Sequence, residues 1–433
     1  MELKNKKVTV AGIGESGKSA ALFLKEQGAE VYVTDCGSSL ELNDSAKELK
    51  SAGISVEIGR HSRNFIEGAS LLVVSPGVPK GAAPIKWAEE AGIEIIGEIE
   101  LAFRFCKGKV IAVTGTNGKS TTVNLITAIL TNAGRDVILC GNIGDAFCRY
   151  INKISKDTMV VLEVSSFQLE YITTFKPYIS IILNISQNHL DRHRDMDEYS
   201  GAKRKIYQYQ DENDFVILNY DDENLKTLKN KITSKVFFFS RKHYVKGAYS
   251  DKNNLFLNIT TPQVVSTIDS LKLKQPHNIE NFLASSLAAH FCGVRPDVIN
   301  EALKNFKGLS HRLELVANIN GVNYIDDSKS TTVDSTRAAL RSLKNKAVLI
   351  AGGKDKESNF NLAVDDIKQK VKTLILIGEA REKISKALSE YVDTREAQDM
   401  EEAVNIASEI AAKPDTVLLS PMCASFDMYK DYK

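Results

Sequence analysis

Two glycine-rich segments carry the residues best suited to hold phosphate. Residues 12–19, GIGESGKS, satisfy two patterns at once: the dinucleotide spacing Gly12, Gly14, Gly17, and the phosphate-loop spacing Gly12, Gly17, Lys18, Ser19. Asp35 closes the next apolar run, 18 residues after Gly17, where a ribose-binding acid belongs in a Rossmann-type unit. That context favours a Rossmann-like nucleotide or diphosphate site, with Lys18 a solvated helix residue; the other reading is that the glycines only permit tight strand-to-helix packing. The second segment, TGTNGKSTT at 114–122, misses the strict spacing because position 113 is Val. It is nonetheless the better ATP site. Gly115, Thr116, Asn117 and Gly118 lead into a helix start where backbone N–H groups can surround phosphate. Lys119 can then reach the outer phosphates, and Ser120 or Thr121 can ligate magnesium. Glu163, closing the run TMVVLE, is placed like the magnesium carboxylate such a loop requires. Beyond the run YISIILN, His189, Asp191 and His193 alternate in a polar loop. Zinc-ligand spacing fits them poorly, which leaves either a functional His beside the phosphate site or three solvated loop residues.

These residues need strands that end beside one another. The first hundred residues alternate KKVTVAGIG, SGKSAALFLKEQG, EVYVTD, SLLVVSPGVP and PIKWAEEAG, the rhythm of a parallel sheet with crossover helices. A second unit opens after Phe105-Cys106-Lys107-Gly108 and supplies the runs DVILCG, TMVVLEV and YISIILN. Residues 215–275 are less regular, with FVILN, KVFFFS and a hairpin around NNLFLNI, and predict a small extra sheet before a helix over 278–291. The third unit shows short buried-strand patterns in AVLIAGG, TLILIG and TVLLSP. The polar loops DDSKSTT, GGKDKES and SPMCASF are expected at one cleft. The fold class is therefore α/β with three domains: 1–105 Rossmann-like, 106–308 P-loop ATPase-like with a mostly parallel sheet and a small extra sheet, and 309–433 Rossmann-like.

Composition narrows the function. With 433 residues, 43% hydrophobic and 26% charged, the chain is ordinary globular protein. Lys plus Arg number 56 against 55 Asp plus Glu, so no broad positive field exists to bind nucleic acid or a membrane surface non-specifically. The six cysteines form no C-x-x-C pair, which suits neither a zinc ribbon nor a disulfide framework and implies a reducing compartment. Met1 to Lys7 runs straight into the strand-like Val8 to Ala11, and no apolar stretch approaches 18 residues, so a cytoplasmic protein without membrane insertion is expected.

Taken together, GTNGKST, LEVSSFQLE, NHLDRH, GAKRKIY, HNIEN, SHRLE, DDSKSTT and SPMCASFDMYKDY resemble the ATP-dependent Mur ligases of bacterial peptidoglycan synthesis. SSFQLE and SPMCASFD resemble the D-glutamate-adding members rather than their relatives. The resemblance implies UDP-N-acetylmuramoyl-L-alanine and D-glutamate as substrates, joined through an acyl phosphate made from ATP by a monomer. It implies uridine-nucleotide contacts at Glu15, Ser16, Asp35, Ser75 and Gly77, with Asn142 at the substrate diphosphate. Lys119, Ser120 and Thr121 then serve the ATP phosphates and one magnesium, while Glu163 and His189 ligate a second. Asn278, Asn281, Arg312 and Asp327 resemble nucleotide contacts. Lys329, Thr331, Lys356, Ser425 and the aromatic Tyr432 resemble the part that holds D-glutamate. Lys203 matches the lysine that the family carries as a carbamate, a ligand for magnesium. Residues alone favour Lys203, Arg204 and Lys205 as solvated charges on a helix over 199–210, and the resemblance reverses that for Lys203. Asn188 stands where the family has an acid, Tyr432 where Phe is usual, and the sequence stops at Lys433 before the family's Arg-Gly motif and final helix. A related ligase with another acceptor and a non-enzymatic ATP switch are the other two function classes.

Overall fold

The computed structural model of the protein describes residues 1–186, 195–355 and 358–429. It divides into two compact units, Met1–Lys307 and Gly308–Lys433.

The first unit holds two sheets. One has five parallel strands, β1 (Lys7–Ala11), β2 (Glu30–Asp35), β3 (Ser55–Ile58), β4 (Leu71–Val74) and β5 (Glu94–Gly97), in the order β3-β2-β1-β4-β5. The chain reverses direction of winding between β1 and β4, and the crevice beyond their carboxyl ends is where such sheets take ligands. The second sheet is built from β6 (Lys109–Thr114), β7 (Val137–Gly141), β8 (Met159–Glu163), β9 (Ile179–Ile182), β10 (Phe215–Asn219), β11 (Lys235–Ser240), β12 (Gly247–Ser250), β13 (Asn254–Asn258) and β14 (Pro262–Thr267). Its order is β14-β13-β12-β11-β10-β9-β6-β8-β7. Strands β8 and β9 are buried at every position, as expected of a parallel sheet covered on both faces. The small sheet expected at 215–275 is the part of this array beyond β9, where the pairing turns antiparallel at β12-β13-β14.

Helix Lys119–Asn132 follows β6 and buries Val123, Ile126, Ile129 and Leu130; helix Pro276–Phe291 packs against it through Asn281 and Ser285, which hydrogen-bond Thr122. The helix predicted over 199–210 instead begins at Met196, capped by the Asp195 carboxylate accepting from Glu198 N, and gives way to a 3₁₀ turn at Lys205–Tyr207. There the Ser180 hydroxyl takes the Ile206 carbonyl at 3.0 Å, drawing that carbonyl toward the sheet.

One apolar core runs through both sheets of this unit, from Val8 and Leu71 to Val160 and Leu218. A single carboxylate reinforces it. Glu100, on helix Glu98–Phe105, is fully buried and accepts from the backbone N–H groups of Thr173, Thr174 and Phe175, from both threonine hydroxyls, and from Arg104 Nε at 2.9 Å.

The second unit has one six-stranded sheet: β15 (Glu314–Ile319), β16 (Val322–Asp326), β17 (Ala347–Gly352), β18 (Val371–Ile377), β19 (Asp393–Glu396) and β20 (Thr416–Met422). Its order is β15-β16-β20-β17-β18-β19, parallel except at β15. Among the described residues, no helix is long and apolar enough to cross a membrane.

Burial works to raise the Glu100 pKa, but the hydrogen bonds from Thr174, Thr173 and Arg104 outweigh it and hold the pKa below its ordinary value. The stabilisation is therefore complete above the ordinary carboxylate pKa and disappears as pH falls through the lower native value. Glu100→Gln, which turns an amide donor toward backbone donors, should cost about 2–4 kcal/mol at pH 7. Urea unfolding followed by the fluorescence of Trp87, the only tryptophan, reads this unit; the deficit should shrink as pH is lowered toward 3.

Candidate active site

Strand β6, between β9 and β8, delivers the second glycine-rich segment at its carboxyl end. Gly115 and Gly118 take φ of +154° and +84°, and Gly118 caps the helix that starts at Lys119. The loop is pinned from outside: Thr116 N donates to Asn184 O, Asn117 N to Asn184 Oδ1, and Thr116 Oγ1 meets both Ser186 and the hydroxyl of Tyr199. Lys119 Nζ donates to the carbonyls of Gly115 and Thr116, each at 2.9 Å. Lys203 Nζ donates to the same Gly115 carbonyl, also at 2.9 Å, and lies 4.5 Å from the ring centre of Tyr199. With only 2% of its surface exposed, Lys203 is no solvated charge. Burial, and then the neighbouring Lys119, bring its pKa down to about 7.

Glu163, at the end of β8, is likewise 2% exposed. Its Oε1 accepts from Asn142 Nδ2 at 2.9 Å, whereas its Oε2 is buried without a hydrogen bond. A buried carboxylate oxygen left without a donor fits a hard cation, which takes oxygen ligands. Asn278 and Asn281 are buried on helix Pro276–Phe291; Asn281 Oδ1 accepts from Thr122 Oγ1 at 3.2 Å, so this helix face meets the loop. Thr121 is half-buried in the first turn of its helix.

Asn142 connects this centre to a cavity of about 640 Å³ between the two sheets. Its walls include Glu15 and Ser16 at the start of helix Glu15–Glu26, Asp35, Ser75 and Gly77, so the predicted uridine-nucleotide residues converge. The Asp35 carboxylate is already engaged: Oδ2 accepts from Ile13 N and Oδ1 from Gly37 N, which ties the first glycine loop to the end of β2. Lys18 points away and pairs with Glu48.

In the second unit the three polar loops do meet. A cavity of about 350 Å³ is lined by Asp326 and Ser328, by Gly352 and Gly353, and by Pro421 and Ser425. Asp327 is buried; its carboxylate accepts from Leu313 N and Ser420 Oγ, and burial raises its pKa against those hydrogen bonds. Arg312 is exposed between two left-handed residues, His311 and Leu313, with φ of +64° and +45°. Lys329 N donates to His311 O, and Thr331 follows in the same turn, but neither residue lines the cavity. His189, Asp191, His193, Asn188, Lys356 and Tyr432 lie outside the described residues.

Family comparisons match three stretches of the chain: a MurD-like N-terminal domain of Mur ligases over 6–97, the Mur ligase middle domain over 113–289, and the Mur ligase glutamate ligase domain over 311–423. The chain belongs to the Mur ligases. It is 42% identical to the UDP-N-acetylmuramoylalanine–D-glutamate ligase of Thermoanaerobacter sp. strain X514, covering all of this chain and 97% of that protein. The enzyme of the same name from Clostridioides difficile strain 630 is 40% identical, with the same coverage. Among solved structures, the UDP-N-acetylmuramate-alanine ligase of Thermotoga maritima shares the fold with a TM-score of 0.59 at 20% identity, over 96% of this chain and 95% of that one. Mur ligases are ATP-dependent acid–amino-acid ligases of peptidoglycan precursor synthesis, and this chain is an enzyme of that class.

Several residues around this Mur ligase site had no signal in the sequence. Tyr199 and Asn184 buttress the loop and His61 lines the cavity, yet each is a common residue in an unremarkable context; Gln168, also on the cavity wall, lies within the SSFQLE motif, although the motif does not single it out. The pair His311 Nδ1 and Asp326 Oδ2, 2.7 Å apart, joins residues 15 positions apart. The SHRLE and DDSKSTT motifs flagged both segments but not their contact.

The close approach at Gly118 gives a test of the loop. A Cβ there would stand 2.5 Å from Asn281 Oδ1, whereas Gly134, with φ of +71°, has nothing within 4 Å of such an atom. Gly134→Ala should cost only the left-handed strain of about 1–2 kcal/mol, and Gly118→Ala about 2–4 kcal/mol because Asn281 must also move. Adding Asn281→Ala to Gly118→Ala should recover the excess in urea titrations; a deficit that persists unchanged would place the cost elsewhere.

Proposed function

We propose that this Mur ligase joins D-glutamate to UDP-N-acetylmuramoyl-L-alanine, releasing ADP and phosphate. One observation carries the reading: Asn142 lines the inter-sheet cavity and holds Glu163 Oε1, so a ligand whose nucleotide lies in the cavity ends beside the Lys119 loop. The names of the relatives at 42% and 40% identity support the choice of substrates.

A carboxylate and an amine do not condense in water unless the carboxylate is activated. In this reading a substrate carboxylate oxygen attacks the terminal phosphorus of ATP, ADP departs, and the acyl phosphate forms. The D-glutamate amine then adds to the acyl carbon, and phosphate leaves with the C–O bond electrons. Bringing the carboxylate to a triphosphate sets anion against anion. The chain opposes that repulsion with Lys119 and with the N–H groups at the start of helix Lys119–Asn132. Magnesium, held by Ser120, Glu163, His189 and Lys203, would supply further neutralisation of the phosphate charge. Asn278, Asn281, Arg312 and Asp327 would hold the nucleotide. Lys329, Thr331, Lys356, Ser425 and Tyr432 would receive the D-glutamate carboxylates, lysines as point charges and the Ser425 hydroxyl as donor. The protein acts as a monomer in the cytoplasm.

Lys203 enters as a carbamate. Its burial and a pKa near 7 leave much of the amine neutral at physiological pH, and only a neutral amine adds carbon dioxide. The product is an anion with carboxylate-like oxygens, which suits a position between a second lysine and a metal.

Phosphate release should require UDP-N-acetylmuramoyl-L-alanine together with D-glutamate, and fail with L-glutamate, L-alanine or diamino acids. Release without an acceptor would favour an ATP switch, and release with a different amino acid a sister ligase. Lys119→Ala should abolish turnover, while Lys18→Ala leaves it nearly intact.

Lys203→Ala should be nearly inactive and partly restored by added acetate or formate, with Lys205→Ala mild. A carbon spectrum showing a free amine at Lys203 during full turnover would end the carbamate reading.

A further inference from the structure

The cavity between the two sheets contains one titratable ring to which the proposed function gives no role. His61 lines it beside Asp35 and Cys36, and the segment is tied to the end of β2: Gly59 N donates to Gly37 O at 3.0 Å. Strand order puts these residues on the β2-β3 side of the cavity, whereas Gly141 and Asn142, next to Glu163, come from the other sheet. A nucleotide whose diphosphate lies at Asn142 therefore has its base toward His61.

The protonation of that ring is determined by its neighbours. Thr34 Oγ1 lies 2.8 Å from His61 Nδ1, 2.8 Å from Glu57 Oε1 and 3.4 Å from the Arg60 carbonyl. Thr34 is fully buried and its hydroxyl has one proton. Glu57 Oε1 and the carbonyl can only accept, so the Thr34 proton goes to Glu57, which also accepts from Ser62 N at 2.7 Å. His61 must then donate from Nδ1 to Thr34. In the neutral ring this leaves Nε2 as a bare acceptor, and among the described residues no protein group bonds to it. Burial lowers the His61 pKa against the opposing charges of Asp35 and Glu57, which agrees with a neutral ring near pH 7.

We propose that His61 reads the base of the substrate, with Nε2 accepting the N3–H of uracil. This rests on the uridine-nucleotide reading of the cavity. Uracil presents an N–H at that position, whereas cytosine presents a lone pair, which would face the lone pair of Nε2. Glu57 and Thr34 thereby select uracil indirectly, by fixing which nitrogen of His61 carries the proton.

Calorimetric titration of the full chain with UDP, CDP and N3-methyl-UDP tests it. The wild type should bind UDP roughly ten-fold or more tightly than either analogue, since each leaves the acceptor unpaired or opposed. His61→Ala should bind UDP more weakly and discriminate less than about three-fold, as the lost hydrogen bond no longer separates the bases. Because CDP adds no bulk, loss of its penalty in His61→Ala separates hydrogen bonding from steric fit. Thr34→Val, which keeps the shape of a buried residue, should bring UDP and CDP closer together while Trp87 fluorescence remains native. If UDP binds but CDP is rejected equally by wild type and His61→Ala, the role of His61 is overturned and the uridine reading stands. If the wild type fails to bind both UDP and UDP-N-acetylmuramoyl-L-alanine, the uridine reading itself falls.

Discussion

Two ammonium groups cannot rest at full charge on one carbonyl oxygen without cost, and the first unit places Lys119 and Lys203 both 2.9 Å from the oxygen of Gly115. Lys119 is half-buried, but the Lys203 side of the pair is enclosed by protein: Lys203 is buried, Tyr199 covers it, and Glu163 is buried at the end of β8. In such surroundings repulsion is weakly screened, so the lower-cost states are those in which Lys203 loses its proton or an anion comes between the two lysines. Phosphate and a carbamate are both anions of the required kind. The glycine loop, the half-buried helix start and the orphan oxygen of Glu163 are the setting in which such an anion would be received.

Much of the scaffold was legible in the sequence because parallel strands announce themselves. Apolar runs such as VIAVT and MVVLE ended in polar residues, and those ends proved to be the loop of Lys119 and the carboxylate of Glu163. Cross-chain partnerships were not legible. Lys203 stands beside Arg204 and Lys205 in a run that reads as surface charge; only the packing of helix Met196–Arg204 makes one of the three a buried neighbour of the phosphate loop. Asp35 carried the right spacing for a ribose acid and lines the cavity; that its two oxygens also accept from Ile13 N and Gly37 N is a use that spacing alone does not indicate. The edge of the nine-stranded sheet escaped for another reason: antiparallel strands at 247–267 continue a parallel array, and nothing in their alternation states which neighbour they join.

The second unit shows strain placed next to polar loops. His311 and Leu313 adopt left-handed backbone, costly for residues other than glycine, and are held there by the carboxylates of Glu314, Asp326 and Asp327. The result is a fixed presentation of Arg312. Three loops from separate strands share one cavity, which His311 also lines, so residues as distant as 326 and 425 lie in one place.

The Glu100 clasp has a consequence for selection by size. Because that carboxylate and a continuous apolar core bind the two sheets of the first unit together, the span from His61 on one sheet to Asn142 on the other is a property of the folded chain rather than of the ligand. On the proposed uridine-nucleotide reading, the cavity is then a ruler. A sugar nucleotide of the right length would bring its carboxylate level with Glu163, and one shorter or longer by a single residue would fall short or overrun, however well its base were held. Discrimination by reach needs no contact with the missing or surplus group, only two sheets that do not slide.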